Sequence, residues 1–228
     1  MAAAPSRTTA SGFTLLELLI VVAVIAVLSS MAIPNMLASR MTANETVAVA
    51  ALRSIIAAQL QCQSLCLVDR DGDGRGEALG LDELCGTHAL RGGAPALAPS
   101  PLPQSLGLLN NLGHVAGRGY LLCLYLPDAT GNGIAATPAN SNAVDTDLAE
   151  THWTCVAWPQ ARTVTGNETY WTNHTGEILR TLGGRYDGRT LVPEAGAALL
   201  GSTPNSMLHG KVAANTIASD GNRWMTVQ

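Results

Sequence analysis

Three groups of residues in this 228-residue chain have types and spacings that could do chemistry. The first is Asp69-Arg70-Asp71-Gly72-Asp73-Gly74-Arg75-Gly76-Glu77. Asp69, Asp71 and Asp73 stand where positions 1, 3 and 5 of a twelve-residue calcium loop supply carboxylates. Gly74 takes the sharp turn at position 6, Arg75 offers a backbone carbonyl at position 7, and Glu77 falls at position 9. Position 12, the bidentate acid, is Gly80 here, so a Ca2+ site would need Asp82 or Glu83 on a loop that runs differently. The competing reading is a Gly/Asp-rich turn whose acids are partly neutralised by Arg70 and Arg75.

The second group is a single carboxylate, Glu17, near the start of an apolar run from Phe13 to Ile33. An acid inside a membrane span costs ~2.5–3.5 kcal/mol on insertion scales, so it needs a function and a partner. The third group is five cysteines, Cys62, Cys66, Cys85, Cys123 and Cys155, with no CxxC pair and hence neither zinc-site nor thioredoxin spacing. Outside the cytoplasm, Cys66 and Cys85 would close the acidic loop, worth ~3 kcal/mol on the chain-entropy view. Cys123 and Cys155 form a second pair on candidate strands, with burial as free thiols an equal reading.

Enzymatic chemistry is not expected. His88, His114, His152, His174 and His209 are scattered without HExxH, and no GxSxG is present. Trp153, Trp158 and Trp171 read as sheet packing before they read as a sugar platform. Asn44, Asn167 and Asn173 each begin a glycosylation sequon, a signal that depends on the host. Only 13% of residues are charged and the net charge is −4, so nucleic acid is not expected as a partner.

The apolar run is 21 residues, about 30 Å as a helix, enough to cross a bilayer. A secretory signal or a plain anchor would explain that length but not Glu17. The string Gly12-Phe13-Thr14-Leu15-Leu16-Glu17 ahead of an apolar helix resembles the prepilin signature of type IV pilins and type II secretion pseudopilins. The resemblance covers about a tenth of the chain. It implies cleavage after Gly12 by a prepilin peptidase, methylation of Phe13, and assembly through Phe13, Glu17 and a helix-kinking Pro34. It also implies an inner-membrane precursor with a periplasmic head, then a pilus or a periplasmic pseudopilus built with other filament subunits. The alternative is a membrane-anchored, calcium-dependent binding module that does not polymerise.

These residues need elements to hold them. Residues 1–12 read as a leader, 13–34 as the transmembrane and assembly helix, and 35–228 as a globular head. One helix is expected from about Phe13 to Cys66, its second half carrying a stripe of Val49, Leu52, Ile56 and Leu60 with Ala48 and Ile55 alongside. Strands are expected at 119–126, 151–158, 168–173 and 177–182, the last two joined as a hairpin, with another near 222–227. A long helix followed by an antiparallel sheet makes the fold class α+β. Residues 87–118 read as a connection, and 183–228 have little pattern.

Overall fold

The computed structural model describes residues 12–181 and 185–227. The leader therefore lies outside the described residues except for Gly12. In order, the elements are α1 (Leu15–Ser64), α2 (Leu81–Leu84), β1 (His114–Gly117), β2 (Tyr120–Pro127), β3 (Gly133–Ala135), α3 (Thr146–Thr151), β4 (Thr154–Pro159), β5 (Thr169–Asn173), β6 (Ile178–Thr181), β7 (Thr216–Ile217) and β8 (Arg223–Thr226). The expected α+β class holds. The chain divides into two units, Met1–Ser39 and Arg40–Gln228, and α1 contributes to both.

In the first unit α1 is apolar on every side. No residue of its most apolar stretch is buried, and Pro34 sits inside the helix without ending it. Side chains from Leu15 to Ile33 stay open to the surroundings, with Leu15 at 81% and Ile20 at 53% exposure. A helix hydrophobic all round belongs in a membrane or among other helices.

The second unit is built on an antiparallel sheet of order β1-β2-β4-β5-β6-β8-β7, with β3 sharing one edge of β2 with β1. All eight residues of β2 and all six of β4 are buried. Near-continuous apolar strands of this kind require cover on both faces of the sheet. Since side chains alternate along a strand, Tyr120, Leu122, Leu124, Cys155, Ala157 and Tyr170 share one face. The helix lies on that side, burying Ala48, Leu52, Ile55, Ala58 and Cys62 in the same core.

The buried stripe is rotated slightly from the expected one. Leu60 is 70% exposed, and Gln59 is buried instead. The swap is tolerated because the Gln59 amide is fully used: its Nε2 donates to Leu79 O (2.7 Å) and its Oε1 accepts from Leu79 N (2.9 Å). The tight return of the chain past the end of α1 rests on Gly76, where a Cβ would fall on the Gln63 carbonyl. Gly76→Ala should therefore lower the thermal midpoint by several degrees, whereas Gly117→Ala, which meets open space, should leave it nearly unchanged.

The opposite face, with Tyr125, Trp158 and Trp171, is covered by the region from residue 185 onward, which holds little regular structure. Polar tips on the sheet side chains hold it there. Trp158 Nε1 donates to Gly188 O, Tyr125 OH to Pro193 O and Trp171 Nε1 to Ala195 O, each at 2.7 Å. Tyr186 OH donates to the buried Asp220 carboxylate at 2.6 Å. The region that showed least pattern in the sequence is thus the second lid of the core. Five shorter elements also escaped the sequence reading: α2, β1 within 87–118, β3, β7, and α3, which takes the residues before β4 and is capped by Asp145 Oδ1 accepting from Leu148 N (3.0 Å).

Candidate functional site

At the head of α1 the chemistry begins with three residues. Thr14 precedes the helix and Glu17 stands three residues on. The Glu17 Oε2 accepts from Thr14 N (2.8 Å) and Thr14 Oγ1 (2.9 Å), while Glu17 N donates back to Thr14 Oγ1 (3.2 Å). This reciprocal pattern is a capping box, which satisfies helix donors that otherwise lack partners. The T-x-x-E spacing was readable in the sequence as a helix start; the family resemblance drew attention to the acid alone. Both in-chain bonds to the Glu17 side chain fall on Oε2. Phe13, 75% exposed, sits beside it at the peptide bond following Gly12.

The acidic loop gathers more tightly than its sequence implied. Asp69, Asp71 and Asp73 each bring a carboxylate oxygen within 4.8 Å of the others, and so do Asp71, Asp147 and Glu150. Gly72 and Gly74 adopt φ of +76° and +86°, which a residue with a side chain reaches only at a cost. Their N–H groups donate to the two Asp69 oxygens at 2.8 and 3.0 Å. Asp147 and Glu150 come from α3, an element the sequence reading did not identify. Sharing a hydrogen bond with Asp71 holds the Asp147 carboxyl above its ordinary range, with burial and the Asp71 charge adding to the effect. Glu150 is also raised, by burial first and then by Asp73.

Two residues assigned to this loop do other work. Glu77 is turned inward, its carboxylate accepting from Arg70 N (3.0 Å) and Arg70 Nε (3.1 Å) and lying 3.5 Å from Arg91 Nη1. Its backbone N–H donates to Val68 O (2.8 Å), which draws the residue into the core, where an acid must be paired. The Arg75 side chain spans Asp73 (3.7 Å) and Glu150 (3.5 Å).

The expected cysteine pairings are not brought together. Cys66 is an exposed free thiol with Sγ 3.2 Å from Gly74 O, whereas Cys85 is buried beside Gly107 and Thr87. Burial pushes the Cys85 thiol up to about 12. Cys123 pairs in register with Val156, and Cys155 with Leu124, so the two side chains point to opposite faces of the sheet. Both are buried, and burial raises both thiols, Cys123 to about 12, which leaves them protonated and inert. The sequon asparagines are also engaged: Asn44 donates to Thr165 O (2.9 Å), Asn167 contacts Met41 Sδ (3.9 Å), and Asn173 is buried. Nor are all the histidines scattered, since His152 and His174 meet with ring centroids 4.8 Å apart.

Comparison with known proteins meets this chain at its N-terminal end. Residues 7–33 match the family model of the prokaryotic N-terminal methylation motif. A 47-residue stretch is 55% identical to the type IV wide pilus major component PilA4 of Thermus thermophilus, covering 21% of this chain and 36% of that protein. No solved structure matches the chain significantly. Over this N-terminal segment the chain is similar to a type IV pilin, and the match spans only 36% of that protein's length.

Proposed function

We propose that this chain is a filament subunit of a type IV pilus or a type II secretion pseudopilus. A prepilin peptidase cuts after Gly12, and Phe13 is methylated. Residues 13–34 hold the precursor in the inner membrane, with 35–228 as a periplasmic head, and the same helix then packs against its copies in a pilus or periplasmic pseudopilus. The observation that carries this reading is a helix uncovered on every side that bears Glu17 four residues from the new amine. The carboxylate has an oxygen left over for a neighbour's ammonium, and paired charges are tolerated where single ones are not. The name of the Thermus relative supports it. N-terminal mass analysis of material sheared from cells tests it. The expected N-terminus is methylated Phe13. A chain that keeps another N-terminus and never leaves the membrane would favour the non-polymerising binding module.

We also propose that the carboxylates of Asp69, Asp71 and Asp73 take a Ca2+ ion, with Asp147 and Glu150 supplying the acid absent at Gly80. What supports this is the convergence of two distant segments on Asp71 and the proton that Asp147 holds above its ordinary range. A carboxyl whose folded pKa is raised binds its proton more tightly in the folded state. Its contribution to stability is therefore present at low pH and declines as pH rises through the folded value. At a hundredfold excess over Kd, calcium should raise the thermal midpoint of the detergent-solubilised protein at pH 7 by on the order of 5–10 °C. The gain should fade as pH falls into the carboxylate range and vanish in Asp71→Asn. An unchanged midpoint in millimolar calcium rejects the site.

A further inference from the structure

The fold brings together two imidazoles that lie on separate elements and take no part in the filament reading. His152 ends α3: its N–H donates to Leu148 O (2.9 Å), and its φ of −133° turns the chain out of the helix towards β4. His174 sits at the same end of the β4–β5 pair, in the turn after Asn173. There Asn173 Oδ1 accepts from Thr175 N (3.1 Å) and Thr175 Oγ1 (2.7 Å), and Gly176 N donates to Asn173 O (3.0 Å). Thr154 pairs with Asn173 in register, so the end of α3 two residues before Thr154 and the turn after Asn173 come together at one end of the ladder. The rings meet with centroids 4.8 Å apart and planes inclined at 59°. Both backbones are held by caps and turns that do not depend on the rings.

We propose that His152 and His174 form a two-histidine site for a divalent transition-metal ion of the zinc, copper or nickel class. A metal–nitrogen bond of about 2.0–2.1 Å puts the metal about 3.2 Å from a ring centre. Two imidazoles on adjacent positions of one ion then have centroids about 4.5–5.2 Å apart, the range into which the observed separation falls. The second nitrogen of one ring is already fixed, because His152 Nδ1 lies 2.8 Å from Thr151 Oγ1. In the tautomer in which the threonine hydroxyl donates to Leu148 O (3.4 Å) and accepts from the ring, Nδ1 carries the proton and Nε2 keeps its lone pair. This outer hydrogen bond is the usual device that orients a ligating histidine. Imidazole prefers these borderline metals to calcium or magnesium, so the site is separate from the acidic loop in selectivity as well as in place. His174 is exposed and His152 partly so, leaving the remaining coordination positions to water.

The test uses the full processed chain in detergent micelles with 13C-labelled histidine, whose five ring signals are assigned by single substitutions. On titration with Zn2+, the His152 and His174 signals should shift together, ahead of the other three. In His174→Asn the His152 response should move to at least tenfold higher Zn2+, and the reverse should hold in His152→Asn. Calcium at the same concentrations should shift neither ring, and His174→Gln guards against an effect peculiar to Asn. The proposal is overturned if all five rings respond alike, if none responds, or if either single variant leaves the partner ring's response unchanged.

Discussion

Glu17→Ala should leave a chain that is cut and methylated normally but yields at least tenfold less filament in sheared fractions, with processed subunit accumulating in the membrane. In a single chain the Glu17 carboxylate is only partly used. Oε2 takes both donors from Thr14, while no described residue within hydrogen-bond reach donates to Oε1. The span around it is apolar, and an acid there costs ~2.5–3.5 kcal/mol unless a partner relieves it. A neighbour's Phe13 ammonium would supply that relief, so the strain of one subunit favours docking on the next. Alanine removes the cost and with it the preference for docking. It also removes half of a capping box, an effect of roughly 1 kcal/mol on the helix start. Glu17→Gln separates the two, since the amide oxygen still accepts from Thr14 but carries no charge. If the glutamine variant assembles to normal levels, the charge pairing is wrong and the acid serves only as a cap.

Trp171→Ala should produce the largest loss of stability in the head. Trp171 is wholly buried on β5, opposite Val156 in the ladder, and its Nε1 holds Ala195 O at 2.7 Å. Truncating a buried tryptophan costs ~3–5 kcal/mol, and here a backbone carbonyl is also left without its donor. For a domain of this size that amounts to a fall in thermal midpoint on the order of 10 °C. Trp171→Phe keeps most of the ring and loses only the N–H, so it should cost about 1–2 kcal/mol. Because the lost contact pins the C-terminal region, the alanine variant should also be cut faster by a lysine-specific protease at Lys211, the one lysine in the chain. An alanine variant that melts normally and resists cleavage would mean that this region is held by something other than the indoles.

Several features were legible before any tertiary contact was known. The long helix, the strands β2, β4, β5, β6 and β8, and the 174–176 turn follow from local pattern, because apolar periodicity and Gly or Pro punctuation act within a few residues. The motif that matches the methylation model is equally local, a short string that runs through Gly12, Phe13 and Glu17. Leu60 was expected in the buried stripe, but Gln59 is buried in its place, because its amide is satisfied by the Leu79 backbone, twenty residues away. The Cys123–Cys155 pairing failed on strand register: a shift of one residue sends side chains to opposite faces, and register is set by the whole ladder.

The acidic loop marks the division most clearly. Its aspartates and its positive-φ glycines were determined by sequence alone, since turn chemistry is local. Only the tertiary structure decided that Glu77 turns inward to Arg70 and Arg91, and that Asp147 and Glu150 arrive from α3 to stand beside Asp71. The same holds for residues 185–222, whose weak pattern concealed the cover of a whole sheet face. Such a region needs no periodicity of its own, because the tryptophans and tyrosines of β2, β4 and β5 supply both the apolar surface and the hydrogen bonds that order it.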